Sequence, residues 1–101
     1  MRVMVFFDLP VESSNDRKNY SKFRNYLLDD GFVMMQKSVY SKITTNGAGA
    51  STVVQKLHRH KPPDGVVQIL IITEKQFQGI EYLIGERQTE VIDTQQRLVI
   101  L

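Results

Sequence analysis

The chain has 101 residues, 42% hydrophobic and 24% charged, which makes one small globular domain with no room for a second. It contains no cysteine, so disulfides, thiolate catalysis and cysteine-ligated zinc are excluded together. The net charge is only +2, but residues 1–60 carry nine Lys/Arg against five Asp/Glu, and residues 61–101 carry four against six. A basic first half fits an anionic partner such as nucleic acid, although charge alone does not separate that reading from chance.

Residues 3–7 form a continuous apolar run closed by Asp8, Leu9 and Pro10, which reads as a strand buried on both faces. Ser13, Ser14 and Asn15 offer N-cap side chains, and Asp16 is favourably placed in a first helical turn. From there to Asp30 the pattern is helical, with Tyr20, Phe23 and Leu27 on one stripe and Gly31 as terminator. Residues 32–43 are rich in β-branched and aromatic types and too long for one flat strand. They read as two segments turning near Gln36 and Lys37, without a strong turn signal.

A second helix is expected after Thr44, Thr45 and Asn46, because Ala50, Val53, Val54 and Leu57 recur at helical spacing; Pro62 and Pro63 stop it. Residues 66–73 (VVQILIIT) are the second long apolar strand. Phe77, Ile80, Tyr82 and Ile84 suggest a turn and a further strand. A polar stretch from 86 to 96 follows, and the chain closes on Arg97, Leu98, Val99, Ile100 and Leu101. No apolar run approaches the roughly 20 residues that span a bilayer, and the opening MRVMVFFDLP is too short for a secretory signal. A soluble, cytoplasmic protein with no membrane partner is expected.

This order predicts an α+β, ferredoxin-like β-α-β-β-α-β fold with an additional C-terminal strand. The whole chain, 1–101, is one domain, with a core at 1–85 and a C-terminal extension at 86–101 ending in a terminal strand. Two helices cover one sheet face only, yet residues 3–7 and 66–72 are apolar on both. The uncovered face predicts a homodimer with the sheets facing each other and the last strand added to a sheet edge.

Asp8, at the C-terminal end of the first strand, is placed to hold a divalent metal through oxygen. One carboxylate is a poor site, which a second Asp8 across a two-fold axis would repair; an Asx turn or a helix-capping role is the plain alternative. On the first helix, Lys18 and Lys22 point away from the apolar stripe, as a solvated face or a ridge for phosphate, while Arg17 and Arg24 border it. Lys37 and Lys42 extend a basic rim. Ser38 and Tyr40 share a strand face, with the tyrosine either packed or presenting its hydroxyl to a phosphate. The run His58, Arg59, His60, Lys61 either complements the second helix's C-terminal dipole or touches phosphate. The two histidines lie too far apart around the helix to chelate one ion.

The strand VMVFFDLP, the basic amphipathic helix and the block GFVMMQKSVYSKI together resemble the family of CRISPR-associated protein two, in wording closest to members from type II loci. The likeness runs over essentially the whole chain, including VVQILIITEKQF and the terminal RLVIL. It implies a ferredoxin-like homodimer with Asp8 of each copy facing the other around Mg²⁺ or Mn²⁺. It also implies metal-dependent endonuclease activity on single-stranded RNA or double-stranded DNA. The family's catalytic positions fall on Asp8, Arg17, Ser38 and Tyr40, while the basic surface read above, Arg17, Lys18, Lys22, Arg24, Lys37 and Lys42, is the expected nucleic-acid contact. Where many members carry tyrosine before the aspartate, this chain has Phe7, which removes a hydroxyl beside the metal.

The resemblance further implies a subunit of CRISPR spacer acquisition that binds the duplex prespacer and bridges dimers of the CRISPR-associated integrase, with cleavage secondary to this role. Contacts confined to phosphates suit a protein that must accept any sequence. The competing readings are a ferredoxin-like RNA reader and a small-ligand regulatory module. Against the first stands the missing Lys-Gly-Phe-Gly-Phe pattern, and against the second the lack of a Gly-rich or acidic loop.

Overall fold

The computed structural model describes residues 1–87. Through β4 the elements follow the expected order: β1 (Arg2–Asp8), α1 (Ser14–Asp29), β2 (Val33–Gln36), β3 (Val39–Ile43), α2 (Gly47–Arg59) and β4 (Val66–Ile72); a short α3 (Glu74–Gln78) comes next. The strands form one sheet in the order β2-β3-β1-β4 with every neighbouring pair antiparallel, consistent with the ferredoxin-like arrangement. The long apolar strand β1 is therefore central and is paired on both sides, where a buried run belongs.

Local chemistry sets the helix ends. The Ser13 hydroxyl accepts from the Asp16 N–H at 3.0 Å while the Asp16 carboxylate accepts from the Ser13 N–H at 3.1 Å, a reciprocal cap worth about 1 kcal/mol. At the other end Gly31 takes φ 95°. The Phe32 N–H then reaches the Leu27 carbonyl at 2.9 Å and the Gly31 N–H the Leu28 carbonyl at 3.1 Å. Asp30, just past the helix, is held by two lysines: Lys42 bonds its carbonyl and approaches its carboxylate at 3.4 Å, and Lys56 pairs with it at 3.2 Å.

Alternation along β1 sends Val3, Val5 and Phe7 into a core with Phe23 and Leu27 of α1, Tyr40 of β3, and Ala50, Val53 and Leu57 of α2. Phe7 is its centre, edge-on to Phe23 at 5.2 Å, near Tyr20 at 5.7 Å and stacked with Tyr40 at 5.6 Å. Each such ring pair adds roughly 0.5–1.5 kcal/mol beyond area burial.

The opposite face carries Arg2, Met4, Phe6 and Asp8, and the chain after β4 turns onto it. The further strand expected around Phe77 is instead a helix. The Thr73 hydroxyl caps the Gln76 N–H at 3.0 Å and the Gln76 side chain returns the bond to Thr73. This cap outweighs the loose apolar spacing of residues 77–84, which contain no strand. The terminal strand expected at 97–101 lies outside the described residues.

Docking of α3 depends on Arg2, whose side chain is 2% exposed. Its Nε and Nη2 donate to the two Glu74 carboxylate oxygens at 2.9 and 2.8 Å, Nη1 donates to Ser41 at 3.2 Å, and the guanidinium lies 3.7 Å above the Phe77 ring. The hydrogen bonds from Arg2 hold the Glu74 carboxyl below its usual range, against partial burial that pushes it up. A depressed carboxylate stabilises the fold above the pH at which an unfolded glutamate titrates. That contribution is lost as pH falls through the lower folded value. Glu74 is 40% exposed, so Glu74→Gln is expected to cost only about 1 kcal/mol at neutral pH. Melting curves of wild type and variant should converge once pH has fallen below the lowered folded value; a gap that persists in strong acid would show that the ion pair is not the cause.

Candidate metal and nucleic-acid site

Asp8 is the last residue of β1, exposed, on the face that α1 and α2 do not cover. Its Cα partner on β4 is Val66, while the ladder to β3 stops at Phe6 and Val39. The Phe7 N–H reaches past that ladder to the Ser38 carbonyl at 3.0 Å. The carboxylate therefore projects from the end of the central strand, with its backbone tied on both sides.

Gly65 forms the wall behind it. With φ 94°, its missing Cβ would lie 2.7 Å from the Asp8 carbonyl oxygen and 2.7 Å from Leu9 Cδ2. Only a glycine lets β4 enter so close to the end of β1. Gly65 is not among the site candidates that the sequence singles out, although Asp64-Gly65 after two prolines is a readable turn signal.

The structure distributes the other candidates unevenly. Ser38 sits in the β2–β3 turn at φ 66°, a conformation that costs a non-glycine residue energy, and its hydroxyl is 3.2 Å from that of Tyr20. Tyr20, read from the sequence only as part of an apolar stripe, thus braces the turn beside β1. Tyr40 is 1% exposed and stacked on Phe7, so it is a packing residue that presents no hydroxyl to the surface. Arg17 folds back over the loop after Asp8, donating to the Val11 carbonyl at 3.2 Å and the Glu12 carbonyl at 2.9 Å.

Lys18, Lys22, Arg24 and Lys37 are exposed, with no ion pair among the described residues. Lys42, expected on the basic rim, is engaged with Asp30 at the end of α1. A long, flexible lysine pairs with the nearest carboxylate in space, and sequence distance does not show which one that is.

Asp8 is a hard oxygen donor of the kind Mg²⁺ takes. Among the described residues no group of three or more His, Cys, Asp or Glu side chains comes together. The donor chemistry fits, but no such cluster surrounds Asp8 among the described residues, so a phosphate, water or a second copy would have to complete the site. On the same sheet face as Asp8, an apolar groove of about 650 Å³ runs between Met4, Phe6, Val39 and Leu70 and the segment carrying Ile80 and Tyr82. Leu70 and Val66 on this face stay 50% and 56% exposed.

Residues 1–80 match the family described as CRISPR associated protein Cas2. The chain belongs to that family. A Cas2 protein of Treponema denticola, named CRISPR-associated endoribonuclease Cas2, is 50% identical over 101 residues, covering 100% of both chains. Proteins of the same name from Ligilactobacillus salivarius and Streptococcus mutans serotype c are 44% and 42% identical over 101 residues. They align over all of this chain and over 100% and 93% of their own lengths. No helix among the described residues of this Cas2 chain is long and apolar enough to cross a membrane.

Proposed function

We propose that the chain acts as a homodimer in CRISPR spacer acquisition, binding nucleic acid through phosphates and hydrolysing phosphodiesters at a divalent cation held by two Asp8 carboxylates. One observation carries the reading: Asp8 lies on the sheet face that the helices leave uncovered, on the same strand as residues of the exposed apolar groove. Covering that apolar face with a second copy would bring together two carboxylates from sites that are each incomplete. The endoribonuclease name of the relatives supports RNA as a substrate. The same basic surface supports binding of a duplex prespacer and bridging of integrase dimers.

A divalent cation, if held by the Asp8 carboxylates, would supply Lewis-acid activation of a phosphodiester and of water. The chain's own residues do the rest. Asp8 supplies anionic oxygen from a rigid strand end. Ser38, in its strained turn, holds the Phe7 N–H that fixes the approach to Asp8. Arg17 orders the loop that borders it, with its charge near where a phosphate would lie. Tyr40 supports Phe7 from the core.

Incubation of a short single-stranded RNA and a short DNA duplex with the protein, across a Mg²⁺ titration and with a chelator, tests this reading. Cleavage that rises with Mg²⁺ and vanishes with chelator is expected, from protein that sediments as a dimer. A monomer at micromolar concentration, or cleavage indifferent to chelation, would overturn it.

A further inference from the structure

On the helix layer, across the sheet from Asp8, α1 and the C-terminal end of α2 enclose a groove of about 170 Å³. Its walls are Lys22, Tyr26, Arg59, His60 and Lys61, closed by Pro62, and no carboxylate among the described residues lines it. Lys22, Arg59 and Lys61 make no ion pair or hydrogen bond among the described residues, so three uncompensated cations converge from two elements. Lys18 continues the row along α1, in a neighbouring depression that also holds Lys22 and Tyr26 and ends at Asp29.

The groove is also ordered. His60 stacks on Tyr26 with centroids 4.1 Å apart and planes 10° from parallel. Its Nδ1 lies 2.9 Å from the Lys56 carbonyl, which can only accept, so Nδ1 donates there and the ring is held in place. The Tyr26 hydroxyl is buried with no hydrogen-bond partner. Burial first, then the Asp30 charge, raises its pKa against the opposing effect of Arg59, so it remains a donor at neutral pH.

Cations at a helix C-terminus ordinarily complement its dipole, and Lys56, His58 and Arg59 do so on α2. That explanation does not reach Lys22, which belongs to α1, or Lys61, which lies past the helix end. The dipole amounts to roughly half a negative charge, which three full cations outweigh.

We propose that this groove is a second nucleic-acid contact, seating a backbone phosphodiester between Lys22, Arg59 and Lys61. The inference rests on the nucleic-acid-binding reading above but not on cleavage at Asp8. A strand held on the helix layer lies on the other side of the sheet from that carboxylate, so retention and cutting become separable functions.

The test is fluorescence anisotropy of a labelled single-stranded RNA and a labelled DNA duplex over a salt series, with wild type, Arg59→Ala/Lys61→Ala and Lys22→Ala. Each cation removed should flatten the slope of log affinity against log salt by about 0.7 for RNA and 0.9 for duplex. That is roughly a fivefold loss of RNA affinity per cation at about 0.1 M salt. For Arg59→Ala/Lys61→Ala the rate of cleavage at saturating RNA should stay at the wild-type value. The three side chains are unpaired and exposed, so melting temperatures should match, and Lys22→Ala gives an independent reading from the other wall. Wild-type binding with unchanged affinity and slope in the variants would overturn the groove alone. A wild type that binds neither nucleic acid would overturn the broader reading with it. Variants that lose binding of a labelled polyglutamate peptide while binding RNA normally would assign the groove to an acidic protein and overturn the proposal.

Discussion

Asp8→Asn is expected to reduce RNA cleavage at least about a hundredfold while leaving the melting temperature unchanged. Asparagine keeps the volume and one carbonyl oxygen but removes the negative charge that attracts a hard cation. In the proposed homodimer each substitution would count twice, because both carboxylates of the proposed cation site would be lost. The fold has little at stake, since Asp8 is exposed and its strand is held by β4 and by the bond from Phe7 to Ser38. Changes at such positions stay within about 0.5 kcal/mol. Metal-free RNA binding should not weaken, because a like charge has been removed from beside the phosphates. Wild-type cleavage by Asp8→Asn would remove Asp8 from the chemistry, and a collapse in melting temperature would make it a structural residue instead.

Gly65→Ala should be the most damaging small substitution at the site. Two costs add. The left-handed backbone at φ 94° penalises any Cβ by about 1–2 kcal/mol. The new methyl would also stand 2.7 Å from a backbone oxygen of Asp8 and 3.1 Å from Leu9 Cα, atoms that no side-chain rotation can move. Overpacking of this kind adds roughly 1–3 kcal/mol. Together they predict a loss of about 3 kcal/mol and a fall in melting temperature of about 10–20 °C. Gly85 separates the two costs: it shares φ 94° but has nothing within 4 Å of the position its methyl would take, so Gly85→Ala carries the backbone cost alone. Because the clash displaces Asp8 itself, residual cleavage by folded Gly65→Ala should fall further than its stability explains. Equal losses at the two glycines would show that the close approach at Asp8 is not under steric load.

The elements are legible in the sequence wherever their cause is local. The apolar run of β1, the Ser13–Asp16 cap, the Gly31 terminator and the Ala50–Val53–Leu57 stripe each depend on neighbours within a few residues. Each stands in the structure where the pattern places it. The short α3 is the exception. Its Thr73–Gln76 cap is equally local, but the spaced apolar residues that follow mimic a strand and mask it. Asp8 is legible as a candidate because a carboxylate closing an apolar run is conspicuous, and its face follows from alternation.

Which partners the long side chains find is decided by tertiary structure alone. Arg17 bends onto the Val11 and Glu12 carbonyls, Lys42 is drawn to Asp30, and Tyr40 turns into the core against Phe7. Arg2 meets Glu74 across 72 residues of chain, and Tyr26 meets His60 only where two helices converge. Periodicity states which side of its own element a residue occupies. It carries no information about which distant element will arrive there, and long cationic side chains choose partners by that arrival. By itself, then, the sequence determined the order of strands and helices, the burial of β1 and the position of one carboxylate at its end. The fold decided which cations stay unpaired among the described residues and which are consumed in holding the protein together, because that depends on proximity created only when the sheet closes.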